Sequence, residues 1–513
     1  MVHAAGGQQL ASAAFAYVPR STLAVASAAS TPIGDVLGAL KSSGVSQPAR
    51  AWTAAWTHGA TVLLTSAVAA VAYGPGRAAR RRRRGMQTAV GRVPRRFFNF
   101  GGEEEEVDPN DPGRVKVCGE YQNSGGSFVA AHKSEFGWAV VSEHSASEQD
   151  NYWPGGAADG DVKQVWRELR LASGSSDTPP GAGDGTGQTV VKVSLREGEV
   201  PVQVPYCMPL AYAKTMAALA FSGQHLQGGL PLDDVPLQRA LVIGLGGGSL
   251  PVWLNHTFPE GKITVDALEI DSAVIEAATK EMGFPAVAMR PAADAAAAAD
   301  DALAGAGGQS LRGYSLAGEE FLEALGKKGD TDYKYDMVFI DAFDKAGRVP
   351  TVLVDPERPF LKALEGLLAP KATVTLNLLV GMTGRGSSGG PEEIMSMVYA
   401  VNGAVCGEAG EVFSVRTPMN ESSGNQVYCF LREGRSSGRE EPLKEAMKQS
   451  AEAVGEGFPA DSLGSKLRFD LARRVIFAYE DWVAPATPPR PLGAPEPEPE
   501  KKEEGGGFGF FGF

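Results

Sequence analysis

Arg239-Ala-Leu-Val-Ile-Gly-Leu-Gly-Gly-Gly-Ser249 opens the stretch that decides the fold, which continues to Val265-Asp-Ala-Leu-Glu-Ile-Asp271. Residues 240–243 predict a buried strand, because apolar residues without polar alternation are typical of a strand covered on both faces. Glycines then allow a tight turn and the close approach of a ligand. A helix starting at Ser249 would add unpaired N–H groups and the positive end of its dipole. The glycines of the turn are Gly244, Gly246, Gly247 and Gly248.

A second predicted strand, residues 263–270, ends in the acids Glu269 and Asp271. Glu269 lies 21 positions after Gly248, where a βαβ unit places an acid that accepts hydrogen bonds from ribose hydroxyls. A glycine turn alone also occurs as a plain tight turn, so the interpretation depends on strand, turn, helix, strand and acid together. The spacing departs from the dinucleotide fingerprint, because Ser249 occupies the position of its last glycine. This favours another adenosyl ligand over NAD.

The pattern I-G-L-G-G-G-S-L-P followed by E-I-D resembles the S-adenosylmethionine site of class I methyltransferases, specifically their spermidine-synthase-like branch. The resemblance implies an α/β fold: a Rossmann-like, seven-stranded class I methyltransferase sheet with a small N-terminal β-domain. It also implies that Gly244 to Gly248 hold the methionine portion of S-adenosylmethionine and that Glu269 holds the ribose, with Asp271 beside it among the cofactor-binding residues.

Residues 335–344 predict another buried strand ending in acids, Asp341 and Asp344, at the edge where open α/β sheets bind ligands. These acids could instead cap a helix or a turn. In the similar family, acids at this position face the transferred group, which makes Asp341 and Asp344 candidate catalytic residues. Residues 210–221 predict a buried helix. Its Tyr212 fits a core position, but the relatives carry a Tyr-x-x-x-Met helix there whose Tyr faces the acceptor.

Residues 311–317 predict the third strand and residues 319–325 the following helix. In the family an acid near this point hydrogen-bonds the adenine, and Glu319 is the candidate here. Glu320 is an alternative, aligning on Phe321-Leu322 would place Ala317 there instead, and a solvated helix N-terminus also favours acids. The Ala-rich residues 291–308 predict a surface insertion. Residues 372–379, 412–416 and 426–432 predict further strands, the last preceded by Asn425 as in the family.

Composition narrows the class of function. The net charge of −13 divides into +11 over residues 1–102 and −24 over the remainder. The acidic body argues against nucleic-acid binding, which needs a positive surface. Four scattered cysteines without a C-x-x-C pair indicate reduced thiols rather than a disulfide or zinc framework. Six histidines give little support to metal chemistry, and no metal is expected.

Six segments follow from composition and pattern. Residues 1–102, rich in Ala, Ser and Arg, predict a transit peptide for the chloroplast, with the mitochondrion as alternative. Within them, residues 60–73 are mostly apolar but shorter than the roughly 20 residues that span a bilayer, so no stable membrane insertion is expected. The others are an acidic linker (103–112), a small β-domain (113–209), the S-adenosylmethionine-binding domain (210–435), C-terminal helices (436–484) and a Pro/Glu tail (485–513).

The terminal segments and one loop suggest interactions. The amphipathic residues 440–479 predict a helix that packs on the domain or on a second subunit, which would make a homodimer. Residues 381–391 predict a glycine- and serine-rich lid, and the Phe-rich residues 505–513 a short docking motif.

Three functions remain open. The first is methyl transfer from S-adenosylmethionine to a protein or small amine acceptor, since methyltransferases of translation elongation factor share the G-L-G-G-G-S-L-P and E-I-D pattern. The second is aminopropyl transfer from decarboxylated S-adenosylmethionine, as in polyamine synthases. Those enzymes carry an Asp directly after the glycines, where this chain has Ser249. The third is a catalytically silent scaffold with the same fold.

Overall fold

The computed structural model describes sixteen segments of the chain. These are residues 121, 126–146, 161–173, 177–205, 207–230, 236–305, 310–329, 332–344, 348–380, 390–407, 410–418, 424–436, 441–457, 479–481, 485 and 488–489. The predicted transit peptide, the acidic linker, most of the proposed lid and the Phe-rich motif lie outside the described residues.

Two sheets organise the described part of the chain. The smaller consists of β1 to β5, and the larger of β6 to β13. The strands are β1 Ser127–Ser134, β2 Gly137–Ser145, β3 Val162–Ala172, β4 Thr186–Arg196, β5 Val202–Gln203, β6 Gln238–Ile243, β7 Ile263–Glu269, β8 Ser310–Ser315, β9 Tyr335–Ile340, β10 Leu368–Val380, β11 Glu411–Pro418, β12 Gly424–Leu431 and β13 Tyr479–Asp481. The helices are α1 Ala211–Leu226, α2 Ser249–Thr257, α3 Ser272–Lys280, α4 Ala295–Ala304, α5 Gly318–Gly326, α6 Pro359–Leu367, α7 Pro391–Val405 and α8 Leu443–Gly457.

The large sheet has the order β13-β11-β12-β10-β9-β6-β7-β8. The five strands from β10 to β8 pair in parallel, and β12, β11 and β13 close the other edge in antiparallel pairs. From β6 the chain runs outward through β7 and β8, then returns to β9 on the other side of β6. The strand order therefore reverses between β6 and β9, where open α/β sheets form a ligand crevice. The α/β, Rossmann-like fold class predicted from the sequence is confirmed.

The apolar strands are covered on both faces, as their composition predicts. Ala240 and Val242 of β6 point into a core that includes residues of α1, α2 and α8. Leu241 and Ile243 point into the opposite core, which includes residues of α4 to α7. Successive side chains of a strand face opposite sides, so an uninterrupted apolar run is what two covered faces require.

The small sheet is an antiparallel meander, with strands pairing in chain order. Its inner face packs on α3, the helix that follows β7 of the large sheet, through a cluster that includes Val141, Leu169 and Ala277. Nδ1 of His132 and Oε2 of Glu276 lie 3.2 Å apart at the same boundary. The small sheet is thus docked against the segment that follows β7.

Two sequence-based predictions are wrong. The Ala-rich segment is no surface insertion: it contains α4, whose residues Ala298, Ala299 and Ala302 are fully buried. Alanine is a strong helix former with a small side chain, so such a helix can approach the sheet closely. The sheet has eight strands rather than seven, because β13 adds to β11. That strand lies in the segment 436–484, in which the structure also describes α8. The exposed edge of β11 is a template for a short extra strand, which helical periodicity does not reveal.

Candidate functional site at the strand crossover

The glycine turn and the acid after β7 are joined by a hydrogen bond. The N–H of Leu245 donates to Glu269 Oε2 at 3.0 Å, and the N–H of Asp271 donates to Glu269 Oε1 at 3.0 Å. The N–H of Gly246 is a further donor to this carboxylate. A carboxylate has about four acceptor sites, so three backbone donors leave room for a hydroxyl of a ligand.

Gly244 and Gly246 show why the turn needs glycine. Gly244 has a φ of 96°, and a Cβ atom there would lie 2.3 Å from the carbonyl oxygen of Asp341. Gly246 has a φ of 51°, and its Cβ would lie 2.3 Å from Oγ1 of Thr189 on β4. Both conformations are unfavourable for other residues. The missing side chains let the end of β9 and the small sheet approach the turn on two sides.

The remaining two glycines also take part in the turn. The carbonyl oxygen of Gly247 accepts a hydrogen bond from Nε2 of Gln203 at 3.0 Å. Gly248 is the N-cap of α2, and Pro251 lies in the first turn of that helix. Proline suits this place because the N–H groups of the first turn have no partner within the helix.

Asp341 lies at the end of β9 and is held by a chain of amides. Asn377 Nδ2 donates to Asp341 Oδ1 at 2.8 Å, and Asn425 Nδ2 donates to Asn377 Oδ1 at 3.0 Å. Asn377 and Asn425 are buried on β10 and β12. Because Asn425 occupies the oxygen of Asn377, the amide of Asn377 can offer only its N–H groups to Asp341.

Tyr212 of α1 reaches the same carboxyl group. Its hydroxyl has two acceptors within reach, the carboxyl group of Asp341 and the carbonyl oxygen of Gln188 at 3.1 Å, and its single proton goes to one of them at a time. The hydroxyl of Thr189 is a donor to the phenol oxygen. Burial and the neighbouring Asp341 raise the pKa of Tyr212 well above its usual value. The phenol therefore stays protonated and serves as a fixed polar contact.

Burial shapes the acidity of both carboxyl groups. Burial raises the pKa of Asp341 to about 7, although the hydrogen bonds of Asn377 and Tyr212 oppose the rise. Burial also raises the pKa of Glu269, and its backbone donors oppose that change. A carboxyl group with a pKa near 7 can accept a proton at neutral pH and release it again.

The other predicted site residues lie in different surroundings. Asp344 forms an ion pair with Arg348 at 3.1 Å and also accepts the Arg348 N–H. Asp271 is the N-cap of α3, with Oδ1 accepting from the N–H of Ala273 at 2.9 Å. Glu319 lies in the first turn of α5, where burial and nearby Glu323 raise its pKa. The structure thus brings together the glycine turn, Glu269, Asp341 and Tyr212, while the carboxylates of Asp344 and Asp271 bond to their own loops.

Sequence reasoning missed three side chains of this site: Asn377, Thr189 and Gln203. Asn377 had a signal, since it is the one amide within the apolar run Val374–Leu379 and a buried amide needs partners. Thr189 and Gln203 belong to the small sheet, and no local pattern predicts which of its residues meet the glycine turn. Their positions follow from the docking of that sheet on α3.

Two kinds of site are not found within the described segments. No group of three or more His, Cys, Asp or Glu side chains is arranged there to hold a metal ion. None of the helices described is both long enough and apolar enough to cross a bilayer.

No protein-family model matches the chain. The eEF1A lysine and N-terminal methyltransferase of Homo sapiens is 28% identical over 151 residues, which are 29% of this chain and 18% of the relative. The polyamine aminopropyltransferase of Vibrio vulnificus (strain CMCP6) is 26% identical over 227 residues, 44% of this chain and 58% of the relative. The chain thus spans less than two thirds of the length of either relative.

Two solved structures are similar to the chain, one of a methyltransferase-like protein and one of a probable spermidine synthase. Human methyltransferase-like protein 13 in complex with SAH aligns with a TM-score of 0.33 and 23% identity, covering 48% of this chain and 92% of that one. A probable spermidine synthase from Corynebacterium glutamicum ATCC 13032 aligns with a TM-score of 0.38 and 13% identity, covering 69% and 97%. The resemblance stated from the sequence, to methyltransferases and to spermidine synthases, is confirmed by the relatives found.

Proposed function

We propose that this protein is an S-adenosylmethionine-dependent methyltransferase whose acceptor is an amine, carried by a protein or by a small molecule. The observation that carries the proposal is the hydrogen bond from Leu245 N–H to the carboxylate of Glu269. It joins the glycine turn to the acid close to Asp341, which supports a single nucleoside site there. The likeness to eEF1A lysine and N-terminal methyltransferases supports a protein amine, because a lysine side chain and a chain N-terminus are both amines.

The residues present fit S-adenosylmethionine. The Glu269 carboxylate is half-buried, and its bonds to backbone N–H groups fix it in place while leaving acceptor capacity for a ribose hydroxyl. Backbone N–H groups at the start of α2 suit the carboxylate of the methionine portion. Glu319 is kept as the proposed partner of the adenine amino group, and Asp271 as part of the ribose side through its support of the loop after β7.

When bound, S-adenosylmethionine supplies a methyl carbon on a positively charged sulfur that leaves with the bonding electrons as a neutral thioether. The protein has to align the acceptor nitrogen with that carbon and keep its lone pair free. An ammonium has no lone pair, so one proton must leave before the new N–C bond forms. We assign the uptake of that proton to Asp341. Its backbone lies against the glycine turn, and a pKa of about 7 suits the task near neutral pH.

Tyr212 and Asn377 position this base. Each hydrogen-bonds the Asp341 carboxyl group from a different element, α1 and β10. Side chains held in this way lose little entropy when the acceptor arrives. Asp344 is kept as a second candidate near the acceptor, although its carboxylate pairs with Arg348 and closes the loop after β9.

The second candidate is aminopropyl transfer from decarboxylated S-adenosylmethionine. The longer alignment, over 227 residues, is with a polyamine aminopropyltransferase. Against it stands Ser249, which occupies the place of the Asp that polyamine synthases carry after their glycines. Ser249 begins α2, and its hydroxyl supplies no negative charge for a diamine.

Titration calorimetry of the purified chain with both donors separates these functions. Preferential binding of S-adenosylmethionine, with methyl transfer to a protein fraction detected by mass spectrometry, supports the proposal. Preference for the decarboxylated donor, with transfer to putrescine, assigns the protein to polyamine synthesis instead. Binding of neither donor assigns it to the scaffold class.

We also propose that residues 1–102 direct the protein to the chloroplast, with the mitochondrion as the alternative. The support is compositional: these residues carry twelve Lys or Arg and one acid. A fluorescent fusion of this segment imaged in plastid-bearing cells tests the proposal, and fluorescence in mitochondria or cytosol contradicts it.

A further inference from the structure

Gln203 is a buried polar residue that the proposed reaction has not yet used. It lies at the end of β5, the edge strand of the small sheet, and is 5% exposed. Its Nε2 donates to the carbonyl oxygen of Gly247 at 3.0 Å. Its Oε1 is buried and has no hydrogen-bond partner within the described part of the protein.

The orientation of this amide is fixed by chemistry. If the amide of Gln203 were reversed, two carbonyl-type oxygens, Oε1 and the oxygen of Gly247, would face each other 3.0 Å apart without a proton between them. The two polar atoms of an amide are about 2.2 Å apart. The unsatisfied Oε1 therefore lies within about 5 Å of the Gly247 oxygen, at the glycine turn and near the N-terminus of α2.

A buried acceptor without a donor is costly to a protein, and a ligand that brings a donor removes the cost. S-Adenosylmethionine carries three kinds of donor: the ribose hydroxyls, the adenine amino group and the α-ammonium. In the proposed function, Glu269 at the end of β7 takes the ribose hydroxyls and Glu319 at the start of α5 takes the adenine amino group. Only the ammonium is left for the side of the turn that Gln203 occupies.

We propose that Gln203 determines the specificity for the methyl donor, because its Oε1 accepts a hydrogen bond from the ammonium of the bound sulfonium nucleoside. The inference rests on the proposed function, and it assigns a binding role to the small sheet. Nucleosides with the ammonium, such as S-adenosylhomocysteine, gain this charge-assisted bond. 5′-Methylthioadenosine keeps the ribose and adenine but has no ammonium, so it gains nothing from Gln203.

The test measures the affinities of S-adenosylhomocysteine and 5′-methylthioadenosine by calorimetry for three variants of the full chain. Gln203→Met keeps the length of the side chain and removes both amide groups. Gln203→Glu keeps an acceptor oxygen and removes the donor to Gly247. Gln164→Met is the matched control, because Gln164 is a buried glutamine of β3 that bonds Ser194 within the small sheet.

Gln203→Met is expected to weaken S-adenosylhomocysteine about tenfold or more, the range for a bond to a charged group, and to leave 5′-methylthioadenosine nearly unchanged. Gln203→Glu is expected to keep the preference for the ammonium-bearing ligand, and Gln164→Met to change neither affinity. If Gln203→Met does not fold, the Glu variant decides: a retained preference supports the proposal and a lost one overturns it.

Two outcomes overturn the inference. Equal losses of affinity for both ligands in the Met and Glu variants would mean that Gln203 only stabilises the turn through its hydrogen bond to Gly247. Unchanged affinities would mean that it plays no part in binding. Failure of the proposed function looks different, because the wild-type chain would then bind neither S-adenosylmethionine nor S-adenosylhomocysteine.

Discussion

Replacing Asp341 with asparagine is expected to stabilise the protein at alkaline pH while abolishing its activity. The carboxyl group is buried enough to raise its pKa to about 7, from an ordinary value near 3.8. Asparagine has the same shape and keeps an oxygen that can accept from Nδ2 of Asn377, while the Tyr212 hydroxyl keeps its bond to the carbonyl oxygen of Gln188. The substitution therefore removes the ionisation and little else.

The magnitude follows from the difference between the folded and unfolded pKa values of Asp341. Between pH 3.8 and about 7 the folded chain holds a proton that the unfolded chain has lost, so the free energy of unfolding falls as pH rises. Above the folded pKa both states are ionised and the loss is complete. From pH 5 to pH 8 the wild type should lose about 2 to 3 kcal/mol relative to Asp341→Asn. This is an upper bound, because the carboxyl group is partly exposed and solvent screens it.

Urea unfolding of both proteins at pH 5, 6, 7 and 8 measures the difference. Asp344→Asn is the control, since that carboxylate forms an ion pair with Arg348 near the surface and such pairs contribute about 0–1 kcal/mol. A wild type that gains stability over Asp341→Asn as pH rises would refute the reasoning, because Asp341 would then be stabilised in its charged form. An unchanged difference would show that Asp341 is solvated.

Three further changes probe the same site. Gly246→Ala should lower the free energy of unfolding by about 1–2 kcal/mol, because alanine is unfavourable in the left-handed conformation, and by more because its Cβ would contact the hydroxyl of Thr189. The melting temperature checks this. Gly366→Ala is the control, since a Cβ there meets open space in α6 and should not destabilise the protein. Asn377→Leu removes a hydrogen-bond donor that lowers the pKa of Asp341, so the acid limb of the pH profile of kcat/KM should move to higher pH. An unmoved limb would show that Asn377 does not control the ionisation of Asp341. Tyr212→Phe should reduce kcat with a stability loss of about 1 kcal/mol; unchanged kcat would remove the tyrosine from the site.

The sheet was predictable because its signals are local. Uninterrupted apolar runs at 240–243 and 337–340 require strands covered on both faces, and both strands form. A turn that needs positive φ is visible as glycine, and the acid after the next strand follows from the geometry of a βαβ unit. The prediction for the segment of α4 was wrong because surface insertions and closely packed helices share an alanine-rich composition. Only tertiary contacts distinguish the two.

The site was predictable only in part, for a related physical reason. Glu269 and Asp341 come at the ends of strands, so the topology of the sheet gathers them. Gln203 and Thr189 come from another sheet, whose docking depends on the packing of Ala277 and its neighbours against an apolar face. Such long-range packing leaves no periodic trace in the sequence around either residue.

The central claim is that the glycine turn and Glu269 form one nucleoside site, and calorimetric titration of S-adenosylmethionine into the wild type and Glu269→Gln tests it most directly. The wild type is expected to bind. The variant should bind about 5- to 150-fold more weakly, which corresponds to about 1–3 kcal/mol for a buried hydrogen bond to a ribose hydroxyl. Equal dissociation constants for the two proteins, or no binding by the wild type, would contradict the account.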